Sequence, residues 1–127
     1  MFSIEARITS PKSGGRRAVV ADDDLDQRAA LARHLAGRGF AVSEVLDGFA
    51  ALSIIGEEAP SVALLRRRLV EDDSERAAAL ASMLYPRTRI ILTANRADLV
   101  PEDSPFTVLP RPVDLELLDR CLDGLSS

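Results

Sequence analysis

Only a short series of residues in this 127-residue sequence has the chemistry and the setting to form a site. Asp22, Asp23 and Asp24 follow one apolar run, Arg66 ends a second, Thr93 ends a third, and Arg111 stands before Pro112. Carboxylates and guanidinium groups brought into one crevice form charge-assisted hydrogen bonds, with a threonine hydroxyl as a further donor or acceptor. Other chemistries are closed off. Lys12 is the only lysine, so a deprotonatable amine has almost no candidate. Cys121 is the only cysteine, which excludes an internal disulfide and a cysteine-based zinc site and suits a small buried filler. His34, the sole histidine, falls on a helix and is expected at the surface rather than as a phosphocarrier.

The elements that must position these groups are legible from periodicity. Ala18-Val19-Val20-Ala21 is a continuous apolar run, as expected of a strand covered on both faces. After the acids, Ala30, Leu31 and Leu35 recur at helical spacing until Gly37 and Gly39 end the helix. Residues 40–45 read as a second strand, and Asp47-Gly48 as the turn into a helix carrying Leu52, Ile54 and Ile55. Pro60 opens a third strand with Val62-Ala63-Leu64-Leu65. A helix over about 74–84, strands over 89–93 and 106–109, and a last helix complete the series. In that last helix Asp114 is the expected N-cap, and Leu115, Leu118 and Leu122 the inner face.

Alternating strands and helices imply parallel strands, right-handed crossovers and helices on both sheet faces, so the fold class is a doubly wound α/β sheet. The turn after the first strand is acidic and lacks the Gly-x-Gly-x-x-Gly of dinucleotide-binding folds, so a pyrophosphate would be repelled there. Ligands in such sheets sit at the carboxyl ends of the strands, which gathers Asp22, Asp23, Arg66, Thr93 and Arg111 at one crevice.

Composition sets the remaining bounds. Apolar residues at 46% and charged residues at 28% suit one packed domain. Residues 1–16 stand apart as an N-terminal extension: Phe2, Ile4, Ala6 and Ile8 alternate with other residues before a Ser-Pro-Lys-Ser-Gly-Gly break. A flexible tail is the expectation, with an added edge strand as the alternative. Twenty acidic against 16 basic residues give a net charge of −4, which disfavours nucleic acid. No apolar run approaches the roughly 20 residues of a membrane helix, and a cytoplasmic location is expected.

The stretch VVADDDLDQR, the strand IILTA and the turn LPRP before a helix resemble, in that order and spacing, the receiver domain of two-component response regulators. The resemblance covers residues 17–127 and implies a flavodoxin-like sheet with strand order 2-1-3-4-5. In that family two acids after the first strand and an aspartate ending the third hold Mg²⁺, and the last of these accepts a phosphoryl group. By resemblance Asp22 and Asp23 match the acidic pair and Thr93 the threonine. Arg111 stands where the family has a lysine, followed by Pro112 and a peptide bond that is commonly cis in the family.

Arg66 is the main departure, for it occupies the place of the phosphate-accepting aspartate. Shifting the register to make Asp72 or Asp73 the acceptor would push Arg66, Arg67 and Arg68 into a buried strand at several kcal/mol per charge. A cation beside Asp22 and Asp23 competes with Mg²⁺, so metal binding is expected to be weak or absent, with those two acids as the weak candidates. The three acids also suit a solvated helix N-terminus, Thr93 a simple strand residue, and Arg67 and Arg68 a solvated charge run. Val108 replaces the family's strand-five aromatic, and Pro101 and Pro105 interrupt the chain between Thr93 and Arg111, so the fourth helix is expected to be short or missing.

The resemblance therefore implies a degenerate receiver, a pseudo-receiver that is no enzyme. It acts by protein contact with a histidine kinase, another regulator or a second copy, and without an appended DNA-binding domain. Arg66 paired with Asp22 or Asp23 would hold the crevice charge-neutralised. Two alternatives compete: a conventional receiver with its acceptor displaced to Asp22, Asp23 or Asp72, and a small phosphatase resembling the haloacid dehalogenases, since Asp22-x-Asp24 and Thr93 suit that family as well. The second lacks room for the further acidic pair and cap domain such enzymes use.

Overall fold

In a computed structural model of the chain the described residues are 16–67, 73–95 and 106–123. Five parallel strands form one sheet: β1 (Arg17–Ala21), β2 (Ala41–Val45), β3 (Val62–Arg66), β4 (Arg89–Ala94) and β5 (Thr107–Pro110). Their order is β2-β1-β3-β4-β5, the flavodoxin-like order. Four helices are present among the described residues: α1 (Leu25–Gly37), α2 (Gly48–Glu58), α3 (Asp73–Leu84) and the short α4 (Leu115–Asp123). The expected shortening or loss of a helix between β4 and β5 concerns residues 96–105, and the proposed extension of residues 1–16 concerns, Arg16 apart, residues 1–15. Both lie outside the described residues, as do Arg68 and Asp72.

The burial of each strand follows its place in the sheet. β1, β3 and β4 are nearly continuously buried, which is why they read as unbroken apolar runs, whereas β2 lies at an edge and is mostly half-exposed. Alternate residues face opposite layers. Val20, Leu64 and Ile91 pack with Leu31 and Leu35 of α1 and Leu118 and Leu122 of α4. Val19, Ala21, Leu65 and Leu92 face the other way, onto Ala51 and Ile55 of α2 and Ala78 and Ala81 of α3. Small alanines on α3 let it lie close to the sheet and to α2. Where α3 ends, Tyr85 reaches α2 at Gly56, and a Cβ there would stand 2.9 Å from the tyrosine hydroxyl.

Short polar residues start the helices where the sequence places them. Asp24 caps α1 by accepting from the N–H groups of Asp26 and Gln27, and Asp47 caps α2 through the Ala50 N–H at 2.8 Å. Asp114 accepts from Glu116 and Leu117 at the start of α4. Helix α1 continues through Gly37, and Gly39, at φ +95°, turns the chain toward β2.

Three local expectations are corrected. Phe40 precedes β2 and is buried in the core, with the Arg16 guanidinium 4.9 Å from its ring centre. Leu115, expected on the inner face of α4, is exposed, because that short helix turns only Leu118 and Leu122 fully into the core. His34 is partly buried and binds Asp119 of α4 at 2.7 Å, since α1 and α4 lie side by side on one sheet face. Cys121 is half-buried against the same core.

Candidate functional site

The site forms where β1 and β3 run side by side in the middle of the sheet. Ala21 pairs with Leu65, which places Asp22 beside Arg66, and Arg66 pairs in turn with Thr93. Ala94 pairs with Pro110, which brings Arg111 back over the ends of the central strands. The Arg111 N–H donates to the Ala94 carbonyl at 2.9 Å, and the following Arg111–Pro112 peptide bond is cis.

Asp22 is the centre of the arrangement and is only 1% exposed. Its N–H donates to the Val45 carbonyl at 3.1 Å, so the residue is tied to β2 as well as β1. Its Oδ1 accepts from the Asp24 N–H at 2.9 Å, and its Oδ2 accepts from Arg111 Nη1 in a close ion pair. Arg111 is as deeply placed, with a side chain 5% exposed. The other guanidinium nitrogens reach Asn95 Oδ1 at 3.2 Å from Nε and Asp24 Oδ2 at 3.5 Å from Nη2. A buried charge pair of this kind is tolerable only when each partner's remaining donors and acceptors are also engaged, and here most are.

Arg66 approaches from the other side. Its Nη1 donates to Asp23 Oδ1 at 2.9 Å and stands 3.8 Å from Asp22 Oδ1. The pairing expected with Asp22 or Asp23 is thus made chiefly with Asp23, the more exposed of the two acids. Arg66 Nε is buried without a hydrogen-bond partner among the described residues, and the Arg66 carbonyl accepts from Ser74 Oγ at 2.5 Å, which fastens the start of α3 to the end of β3. The crevice therefore holds three carboxylates and two guanidinium groups in one chain of contacts: Asp23, Arg66, Asp22, Arg111, Asp24.

Thr93 is buried, and its carbonyl accepts from the Arg67 N–H at 2.6 Å. Arg67 itself, expected in solvent, is buried with its Nε 3.7 Å from Glu75 Oε1. The chain extends β3's pairing with β4 by one residue, and this carries the side chain under the first turn of α3. Of the acidic run, only Asp24 behaves as a helix cap, while Asp22 is buried and Asp23 faces Arg66. Residues not singled out from the sequence complete the frame. Arg28 donates from Nη1 to the Asp22 carbonyl at 3.1 Å and from Nε to Glu44 at 3.1 Å, and Asn95 braces Arg111. Arg28 lies one helical turn past Asp24, a spacing that could have marked it. Nothing local marks Asn95.

No protein-family model matches the sequence, and no curated protein matches it. Solved structures do match. The CheY-like response regulator receiver domain from Methylobacillus flagellatus superposes with a TM-score of 0.73 at 17% identity, over 89% of this chain and 100% of that one. The signal receiver domain of the response regulator NarL from Mycobacterium tuberculosis gives 0.69 at 28% identity, over 89% and 98%. NtrX from Brucella abortus gives 0.72 at 16% identity over 87% of this chain, which spans about a quarter, 26%, of NtrX. The chain has the fold of response-regulator receiver domains, and its arginine-filled crevice lies at the carboxyl edge of that fold's sheet.

Proposed function

We propose that this chain is a pseudo-receiver, a signalling module of receiver fold that works through protein contact and independently of aspartyl phosphorylation. The observation that carries the reading is Arg66, whose guanidinium stands at the end of β3 against Asp23 and Asp22. A guanidinium accepts no phosphoryl group. It also supplies, without phosphate, a fixed charge partner for the acids of the crevice. Arg111 supplies a second one, and together the two offset most of the negative charge of the loop after β1.

The residues present do not fit the Mg²⁺ that the fold family implies. Both oxygens of Asp22 are engaged, Asp23 Oδ1 faces a cation, and β3 ends in arginine where a third oxygen donor would be needed. Among the described residues no cluster of three or more His, Cys, Asp or Glu could hold a metal ion.

A small phosphodonor with Mg²⁺, followed by intact-mass measurement, tests the reading. The wild type is expected to keep its mass. Arg66→Asp restores three acids beside Thr93 and is expected to gain both Mg²⁺ affinity and the mass of one phosphoryl group. A phosphorylated wild type would refute the proposal in favour of a displaced acceptor, with Asp22, Asp23 and Asp72 the first residues to map. The partner class that fits is a histidine kinase, another regulator or a second copy. No helix among the described residues is long and apolar enough to cross a membrane, and a cytoplasmic setting suits the proposal.

A further inference from the structure

The surface most in need of a partner lies away from the crevice. Within the six residues that close α3 and follow it, Leu80, Met83, Leu84 and Tyr85 are all exposed, Met83 by 75% and Leu84 by 59%. Positions 80, 83 and 84 share one helix face, so these side chains form one contiguous strip. Single exposed apolar residues are ordinary, whereas a contiguous strip marks a contact surface. The inward side of the same helix is already committed through Ala77, Ala78 and Ala81, so the strip cannot turn inward without emptying the core.

Two further features give this strip a character. An open cleft of about 360 Å³ runs beside it between the end of α3 and the outer strands, with Ser82, Pro86, Ile90 and Phe106 among its walls. The stretch of chain that carries it has charges of one sign. From residue 76 to residue 97 the sequence contains no acid, although the chain as a whole is acidic at −4. Arg76 and Arg87 are exposed and Arg89, on the cleft wall, is partly exposed. None of the three enters an ion pair among the described residues.

We propose that the C-terminal half of α3 and the adjoining cleft form a docking site for an acidic amphipathic helix of a partner protein. Its apolar face would cover Leu80, Met83 and Leu84, one large side chain would enter the cleft, and its carboxylates would meet Arg76, Arg87 and Arg89. A second copy fits poorly, because a two-fold contact across this strip would set one arginine rim against the other. A flat anionic membrane would leave the cleft unfilled. The site is separate from the crevice, so it holds whether or not Arg66 replaces phosphate control.

The probe is a fluorescein-labelled peptide of roughly 18 residues with leucines at helical spacing and glutamates elsewhere, set against the same peptide with lysines in place of the glutamates. The full chain is used. The glutamate peptide is expected to bind with a Kd on the order of 10 µM, more weakly as salt rises, and the lysine peptide at least about tenfold more weakly. Tyr85 is the only tyrosine and tryptophan is absent, so a change in its emission on binding reports this surface directly. Met83→Glu and Arg87→Glu are surface changes that should leave the unfolding midpoint unaltered and each weaken binding about tenfold or more. Equal binding of both peptides, or binding unaffected by either variant, overturns the proposal. So does concentration-dependent dimerisation in sedimentation that Met83→Glu abolishes, or stronger binding to vesicles containing phosphatidylserine than to the peptide. Binding seen only after Asp98, Glu102 and Asp103 are changed to serine would assign the surface to the chain's own acidic segment and would also overturn it.

Discussion

Removing Arg111 should cost far more than removing Arg66, although both are arginines touching the same acids. Arg111 and Asp22 are the deeply buried pair, with side chains 5% and 1% exposed. Truncating one partner of such a pair leaves an uncompensated charge in the interior, typically at 3–5 kcal/mol. Some of that penalty is recovered, because Arg66 Nη1 remains 3.8 Å from Asp22 Oδ1 and the Asp24 N–H still donates to it. A net loss of about 3 kcal/mol is expected for Arg111→Ala. Arg66, 16% exposed, pairs chiefly with Asp23, which is 47% exposed and can recover water when the guanidinium leaves. Partly solvated pairs are worth about 1 kcal/mol or less, and Arg66→Ala also relieves the unpartnered Nε. The expected cost is therefore about 1 kcal/mol at most. Urea unfolding followed by far-UV circular dichroism separates the two. With a slope of about 1.5 kcal/mol/M, Arg111→Ala should move the midpoint down by about 2 M and Arg66→Ala by less than about 0.7 M. Equal shifts, or an Arg111→Ala midpoint within experimental error of the wild type, would refute the assignment of Arg111 as the principal partner of Asp22. The double variant Asp22→Asn/Arg111→Met removes both charges and should recover much of the loss, which isolates the buried-charge term from packing.

Other outcomes follow from the same geometry. His34, by its hydrogen bond, and then Arg38 hold the Asp119 carboxyl below the usual carboxylate range. A depressed folded-state pKa gives stability that is present above the unfolded value and lost as pH falls through the folded one. The urea midpoints of wild type and Asp119→Asn should thus differ above the ordinary carboxylate range and converge as the pH falls below it. Leu64, fully buried in the central strand among α1 and α4 side chains, should cost about 2–5 kcal/mol on truncation to alanine, read from the same unfolding curves. Gly56→Ala places a methyl 2.9 Å from the Tyr85 hydroxyl, the free end of a side chain at the surface. The ring should shift and tyrosine emission change, while stability stays within about 1 kcal/mol because the helix gains an alanine.

Much of the architecture was legible before any coordinates. The unbroken runs Val62–Leu65 and Ile90–Leu92 could belong only to strands covered on both faces, and the acids before α1 and α4 sit where helix starts favour them. Those signals are local: strand and helix periods, caps and turn residues act over a few neighbours. The position of Arg66 at the end of β3 was legible for the same reason, since its apolar run stops there. Misreadings arose where neighbours could not decide. Arg67 follows a charged residue and precedes another, so it reads as solvated, but the pairing of its N–H with Thr93 carries it under α3. His34 reads as a surface residue until α4 is laid beside α1 and presents Asp119 from 85 positions away.

By itself, then, the sequence determined the five strands, that they run parallel, the helices that join most of them and the presence of a cation where strand three ends. Tertiary structure decided how the charges are shared. Arg66 and Asp23 are 43 positions apart and Arg111 and Asp22 are 89, so no local pattern could say which arginine would take which acid. That choice depends on sheet order and register, which set β5 two strands from β3 and three from β1, and bring Arg111 back over the strand ends onto Asp22. It gives the buried carboxylate to Arg111 and leaves Arg66 mainly the exposed one, because only an arginine arriving over the strand ends can reach both Asp22 and Asp24.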